Sequence, residues 1–306
     1  MKIIVLGSAA GGGYPQWNCN CRNCDGLRRG AIRSRARTQS SIAISANGSD
    51  WLLVNASPDI LTQIRATPAL QPARASRDSG IAAVLLMDAQ VDHVTGLMML
   101  REGCRIPLYC SAPVWQDLQA GFPLAQVLAH YCGVDWRELA VADGERCSFT
   151  VPQLEGIRFT AVPLDSKAPP YSPHREQPQA GDNIGLLVHD QISGKKLFYA
   201  PGLGAIAAAV CAAMREADCL LVDGTFWTED EMIALGFSGK PAAAMGHLPQ
   251  SGPGGMVEVL DGLPASRKVL IHINNTNPIL DEDSPQHATL RGRGIELAWD
   301  GMEILL

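Results

Sequence analysis

Leu86-Met-Asp-Ala-Gln-Val-Asp-His-Val-Thr-Gly96 is the stretch from which the rest of the chain is read. It follows the apolar run Ile81–Leu86, which reads as a buried strand, and leads into Val94–Arg101, which reads as a helix. Asp92 and His93 therefore sit side by side in a strand-to-helix loop. There a rigid sheet aims a carboxylate and an imidazole at one metal ion. A second segment has the same build, because His272 ends the apolar run Val269-Leu-Ile271 and lies at a strand end as well.

Asp92, His93 and His272 make a set of two imidazoles and one carboxylate. Such sets with open positions serve non-haem Fe(II) oxygenases, and zinc hydrolases use them too, so ligand type alone leaves the metal open. Asp223, in Leu221-Val-Asp-Gly-Thr-Phe-Trp227, and His247, in Met245-Gly-His-Leu-Pro249, are further strand-end or loop candidates. Each is suited to proton transfer, to substrate contact or to orienting a ligand, and Asp223 equally to capping the turn after it. A third signal is Cys19-Asn-Cys21-Arg-Asn-Cys24, three thiols within six positions, which predicts a structural Zn2+ site with a fourth ligand from elsewhere. The other cysteines (Cys104, Cys110, Cys132, Cys147, Cys211 and Cys219) are scattered in apolar contexts and read as inert.

Composition bounds these readings. Hydrophobic residues at 46% and charged residues at 18% indicate a soluble globular chain, and no apolar stretch approaches a membrane span. The apolar core of Ile3-Ile-Val-Leu6 is too short for a secretion signal and reads as a first strand, with a cytoplasmic location expected. A net charge of −6 argues against nucleic acid as a partner. Arg22, Arg28, Arg29, Arg33, Arg35 and Arg37 nevertheless crowd one segment. They read as a solvated loop, as salt bridges across a subunit contact or, through Arg28, Arg33 and Arg35, as a rim that binds substrate carboxylates. Gly7-Ser-Ala-Ala-Gly11-Gly-Gly13 lacks the dinucleotide-binding spacing and runs into Tyr14-Pro15, so it reads as a flexible loop near the site.

Strands are predicted at Lys2–Leu6, Ser41–Ser45, Trp51–Val54, Ile81–Leu86, Ile157–Val162, Ile184–Val188, Lys196–Tyr199, Cys219–Val222 and Val269–Ile273. Helices are predicted at Ile60–Ala66, Val94–Arg101, Pro113–Gln119, Ile206–Glu216, Gly255–Leu260 and Pro285–Arg291. Asp190–Gly194 reads as a hairpin turn and Lys167–Gly181 as a long loop inside one domain spanning residues 1–306. Strands come early and helices are interspersed later, which suits two packed sheets with helices outside.

The motif ending in Asp92-His93 resembles the metallo-β-lactamase superfamily motif His-x-His-x-Asp-His, with Asp88 and Gln90 in the two leading histidine positions. That resemblance implies an α/β fold, the metallo-β-lactamase-like αββα sandwich. It places the last metal histidine at His272 and puts Asp165 and Pro201 where the superfamily has a further histidine and a bridging aspartate. One metal, not two, is expected, with Asp88 adding a ligand or reaching the metal through water. A subset of the superfamily completes a cysteine triplet with a histidine that falls here on Asn275. Asn275 itself, His287 or water would then complete the zinc site.

Gly7 to Cys21, the motif ending in Asp92-His93, and His272-Ile-Asn-Asn-Thr-Asn-Pro278 together resemble the coenzyme pyrroloquinoline quinone (PQQ) synthesis protein B family from end to end. The resemblance implies Fe2+- and O2-dependent hydroxylation of the tyrosine ring of a cross-linked Glu-Tyr precursor. Carriage of PQQ or its precursor towards the periplasm is the alternative, and metal-dependent hydrolysis is disfavoured by Asp88, Gln90 and Pro201. Asp92, His93 and His272 would hold the iron, His247 and Asp223 would handle protons, and a homodimer supported by the cysteine loop is expected.

Overall fold

Alternation along the strands sets up the layers of the structure, a computed structural model describing residues 1–306. In β1 (Lys2–Gly7), Ile3 and Val5 enter the core between two sheets, while Ile4 and Leu6 face the helices outside. β2 (Ser41–Ser45) and β3 (Trp51–Val54) repeat the division: Ile42, Ile44, Leu52 and Val54 point inward, and Ala43, Trp51 and Leu53 outward. Both faces are buried, which is why these strands read as unbroken apolar runs.

With β4 (Ile81–Leu85), β5 (Ile106–Ser111) and β6 (Val134–Leu139) these strands form the first sheet. The second contains β7 (Cys147–Phe149), β8 (Ile157–Pro163), β9 (Ile184–Asp190), β10 (Lys196–Ala200), β11 (Cys219–Asp223), β12 (Arg267–Ile271) and β13 (Ile295–Leu297). The last strand, β14 (Glu303–Leu305), returns to the first sheet beside β1. The orders are β14-β1-β2-β3-β4-β5-β6 and β13-β12-β11-β10-β9-β8-β7. One apolar core lies between the sheets and one under the helices on each outer face, which makes the αββα sandwich.

All nine predicted strands form, and the hairpin at Asp190–Gly194 closes with the Gly194 N–H donating to the Asp190 carbonyl at 2.8 Å. Five further strands escape the sequence reading. Four of them (β6, β7, β13 and β14) lie at sheet edges, where polar residues break the alternation. The fifth, β5, contains Pro107 and pairs with β4 only from Leu108 onward, so the ring removes no ladder bond on that side.

The expected helix Val94–Arg101 is instead one α-turn, Val91–Val94, followed by a 3₁₀ segment, Thr95–Leu100. The reason is close packing on residues 56 and 57. Ala56 N–H donates to the His93 carbonyl and Gly96 N–H to the Ala56 carbonyl, and a Cβ on Gly96 would lie 2.1 Å from the Ser57 carbonyl oxygen. Lys167–Gly181 has neither helix nor strand. Helix Arg22–Arg29 was not predicted at all: its N-cap is the Cys21 sulfur, which accepts from Cys24 N–H, in place of the usual hydroxyl or carboxylate.

Strand ends from both sheets converge at one edge. Ala10 N–H donates to the Ile273 carbonyl, Ile184 N–H to Met87 and Gly224 N–H to Ile271. The loops after β1, β11 and β12 are thereby joined, and the loop after β4 is tied to the start of β9.

Candidate metal centres

Asp92, His93 and His272 each bring a ligand atom within 4.8 Å of the others'. His272 Nε2 lies 3.5 Å and His93 Nε2 4.0 Å from the same oxygen, Asp92 Oδ2. Asp223, His247 and His272 form an overlapping cluster of the same compactness. His272 joins the two, its ring stacked on His247 and edge-on to His93.

Each imidazole is held from behind. His93 is buried, and its Nδ1 lies 2.8 and 2.9 Å from the two oxygens of Asp88, which also accepts Gln90 N–H. Asp88 therefore faces Nδ1, on the side of the ring away from Asp92, and is not placed as an added ligand. His247 Nδ1 lies 2.7 Å from Asp223 Oδ2. Asp223 is fully buried, and its oxygens also accept Leu203 N–H, Thr225 N–H and the Thr225 hydroxyl, which leaves it to orient His247. His272 has φ +59°, a left-handed conformation that costs about 1–3 kcal/mol. Its Nδ1 lies 2.9 Å from the Thr225 hydroxyl.

The cluster sets three carboxylates against three imidazoles. Asp88, Asp92 and Asp223 have histidines as their only ion-pair partners, and no lysine or arginine is paired with any of them. Burial alone would raise the Asp92 carboxyl, but the adjacent His93 and His272 imidazoles override it and hold the group well below the carboxylate range. Burial would lower His93, yet Asp88 and Asp92 push it up to about 9. His247 is raised against its burial by Asp223. His93 Nε2, buried and without a hydrogen-bond partner, is the donor atom this arrangement leaves over.

The approach to Asp92 is kept open by glycine. A Cβ on Gly11 would stand 3.1 Å from Asp92 Oδ2, so the glycine-rich loop does border the site. Asp165 lies elsewhere: it is exposed and lines a cavity of about 420 Å³ with Ser166, Lys167 and Gln179. Pro201 is buried just beyond the end of β10.

The cysteine triplet forms a second cluster. Cys19, Cys21 and Cys24 bring their sulfurs within 4.8 Å of one another. The Asn275 amide nitrogen lies 3.0, 3.7 and 3.3 Å from the sulfurs of Cys19, Cys21 and Cys24, so Asn275 occupies the open side. His287 instead turns Nδ1 to the Ile279 carbonyl. Neither Thr225 nor the asparagines that join the two clusters were singled out from the sequence. Asn23 donates to the carbonyls of Asn275 and Asn277, and Asn277 in turn donates to those of Gly224 and Thr225.

The arginines are engaged by the protein itself. Arg28 holds the Gln16 and Cys19 carbonyls, Arg33 pairs with Glu282 and Asp283, and Arg35 pairs with Glu282 while lying over Trp299. Arg22 pairs with Asp281, Arg29 with Asp25, and Arg37 is buried against the Ala298 carbonyl. These ion pairs lie within the chain rather than across a subunit contact, and Arg33 and Arg35 keep more than half of their side-chain surface exposed.

A family model described as "Beta-lactamase superfamily domain" matches residues 50–273. Coenzyme PQQ synthesis protein B of Cupriavidus necator is 65% identical over 306 residues, covering 100% of this chain and 99% of that protein. The protein of that name from Azoarcus sp. (strain BH72) is 63% identical, with both chains covered at 100%. Among solved structures, Zn(2+)-bound PqqB from Methylobacterium extorquens aligns over 100% of both chains at 37% identity with a TM-score of 0.89. With identity of this extent and a shared fold running from end to end, the chain belongs to the coenzyme PQQ synthesis protein B family of the β-lactamase superfamily.

Proposed function

We propose that this protein acts in PQQ biosynthesis as an iron-dependent oxygenase that hydroxylates the tyrosine ring of a cross-linked Glu-Tyr precursor, one atom of dioxygen entering the ring and the other leaving as water with two electrons from an external reductant. The observation that carries the metal assignment is His93 Nε2, a buried nitrogen without a partner, 4.0 Å from a carboxylate oxygen, on a ring committed to Asp88 through Nδ1. The donor set fits a divalent cation. Asp92, His93 and His272 would hold it, and a cation in place of the His93 proton offsets carboxylates that no lysine or arginine neutralises. Fe(II) bound there supplies activation of dioxygen.

The remaining chemistry belongs to the side chains. Asp88 keeps the His93 proton on Nδ1 and its Nε2 free. His247, its Nδ1–H held by Asp223, has Nε2 left to take the phenolic proton of the substrate ring. Gly11 leaves room beside Asp92 for the substrate to approach. A single metal is favoured because Pro201 provides no bridging carboxylate, Asp165 stands outside the cluster and Asp88 is spent on His93, and this disfavours a two-metal hydrolase. Cys19, Cys21 and Cys24 would hold a structural zinc. A half-turn of the Asn275 side-chain amide places its oxygen on the sulfur side as the fourth ligand.

The test is anaerobic Fe(II) reconstitution followed by oxygen exposure with the cross-linked Glu-Tyr compound and a reductant such as ascorbate, read by product mass. Oxygen incorporation that needs both iron and dioxygen is expected. Ligand binding without product would establish a carrier, and product formed without dioxygen a hydrolase.

A further inference from the structure

We infer that Thr225 is a positioning residue that decides which ring nitrogen of His272 carries the proton, and thereby makes Nε2 available to a metal. The inference rests on the reading of Asp92, His93 and His272 as ligands. A hydroxyl has one proton to donate. The Thr225 oxygen lies 2.6 Å from Asp223 Oδ1, 2.9 Å from His272 Nδ1, 2.9 Å from the His272 carbonyl and 3.1 Å from His247 Nδ1. Asp223 Oδ1 and the His272 carbonyl can both only accept, and the charged, nearer Asp223 Oδ1 takes the hydroxyl proton; given to either, it is not available to His272 Nδ1. With that proton committed, Thr225 meets His272 as an acceptor, and Nδ1 must be the donor. His272 therefore carries its proton on Nδ1.

A competing arrangement is close at hand. Asp92 Oδ2 lies 3.5 Å from His272 Nε2 and would draw the proton to that nitrogen. A proton on Nε2 blocks the metal. Thr225 thus tips a tautomeric balance that Asp92 alone would settle the other way. Asp223 consequently orients two imidazoles, His247 directly and His272 through Thr225, just as Asp88 orients His93. All three rings are left with Nε2 unprotonated when neutral.

The test compares Thr225→Val with Thr225→Ser in the full chain, with zinc loaded first at the cysteines. Long-range proton–nitrogen NMR of the imidazole rings reads the His272 tautomer before any second metal is added. Co2+ titration of the remaining centre then reads its affinity. Thr225→Val is expected to move the His272 proton to Nε2 and to weaken Co2+ binding by about 10- to 100-fold. Thr225→Ser is expected to restore both, which separates lost hydrogen bonding from misfolding. An unchanged tautomer in Thr225→Val, or a serine variant as impaired as the valine one, would overturn the assignment. Failure of the underlying ligand reading has a different signature, namely His93→Ala binding Co2+ as the parent does.

Discussion

Asp88 and His93 face each other so squarely that Nδ1 lies 2.8 Å from one carboxylate oxygen and 2.9 Å from the other. Asp88, at the position that resembles a superfamily metal histidine, anchors the neighbouring imidazole instead. Asp88→Asn retains the shape but loses the charge and one acceptor. It is expected to weaken metal binding at the His/Asp centre by about 10- to 100-fold while leaving the fold intact. Competition titration with Co2+ and circular dichroism check the two halves of that statement.

The pH dependence should change sign with the metal. Without it, His93 is raised to about 9 by Asp88 and Asp92, so the stability it contributes is complete below about pH 6.5 and lost as pH rises through 9. The metal-free protein should therefore melt at a lower temperature at pH 9.5 than at pH 7. Metal binding displaces the same proton, so apparent affinity should rise by about tenfold per pH unit up to that value. Thermal melts of both forms across this range, with calorimetric counting of released protons, decide it.

Gly11 has an ordinary backbone conformation, so its role is spatial. Gly11→Val would push a branched side chain against Asp92 Oδ2, where even a lone Cβ stands 3.1 Å away. Metal affinity should fall by about tenfold or more, equivalent to about 1.4 kcal/mol. The melting temperature of the metal-free form should stay near the parent's, because Gly11 is exposed. Parental affinity in the valine variant would remove Gly11 from the site.

Cys21 both caps helix Arg22–Arg29 and stands among the clustered sulfurs. Cys21→Ser retains the cap but not the thiolate. It should cost about one equivalent of zinc per chain, lower the melting temperature and loosen any dimer. Zinc counting and gel filtration report on this, and parental zinc content would sink the assignment.

Much of the architecture was legible because central strands are buried on both faces and spell themselves out in Val, Ile and Leu. Edge strands such as β6, half exposed and carrying Asp135, Arg137 and Glu138, leave no such trace. At the site, Asp92 and His93 were legible from the strand-to-helix connection after β4, and His272 from its place at the end of β12. Thr225 was not, because a threonine after Asp-Gly carries no signal until folding sets its hydroxyl between Asp223 and His272. The ion pairs of Arg22 and Arg33 were hidden for the converse reason: their partners, Asp281, Glu282 and Asp283, lie about 250 residues further along the chain.

His272 to Asn277 holds one residue of each cluster and the asparagine that joins them, within six consecutive positions. Its length is therefore a fixed dimension of the protein. One inserted residue between His272 and Asn275 cannot leave the imidazole beside Asp92 and the amide beside the sulfurs at once. Insertion scanning should find this the least tolerant stretch of loop in the chain, while the hairpin tip at Gln191–Gly194 accepts additions freely.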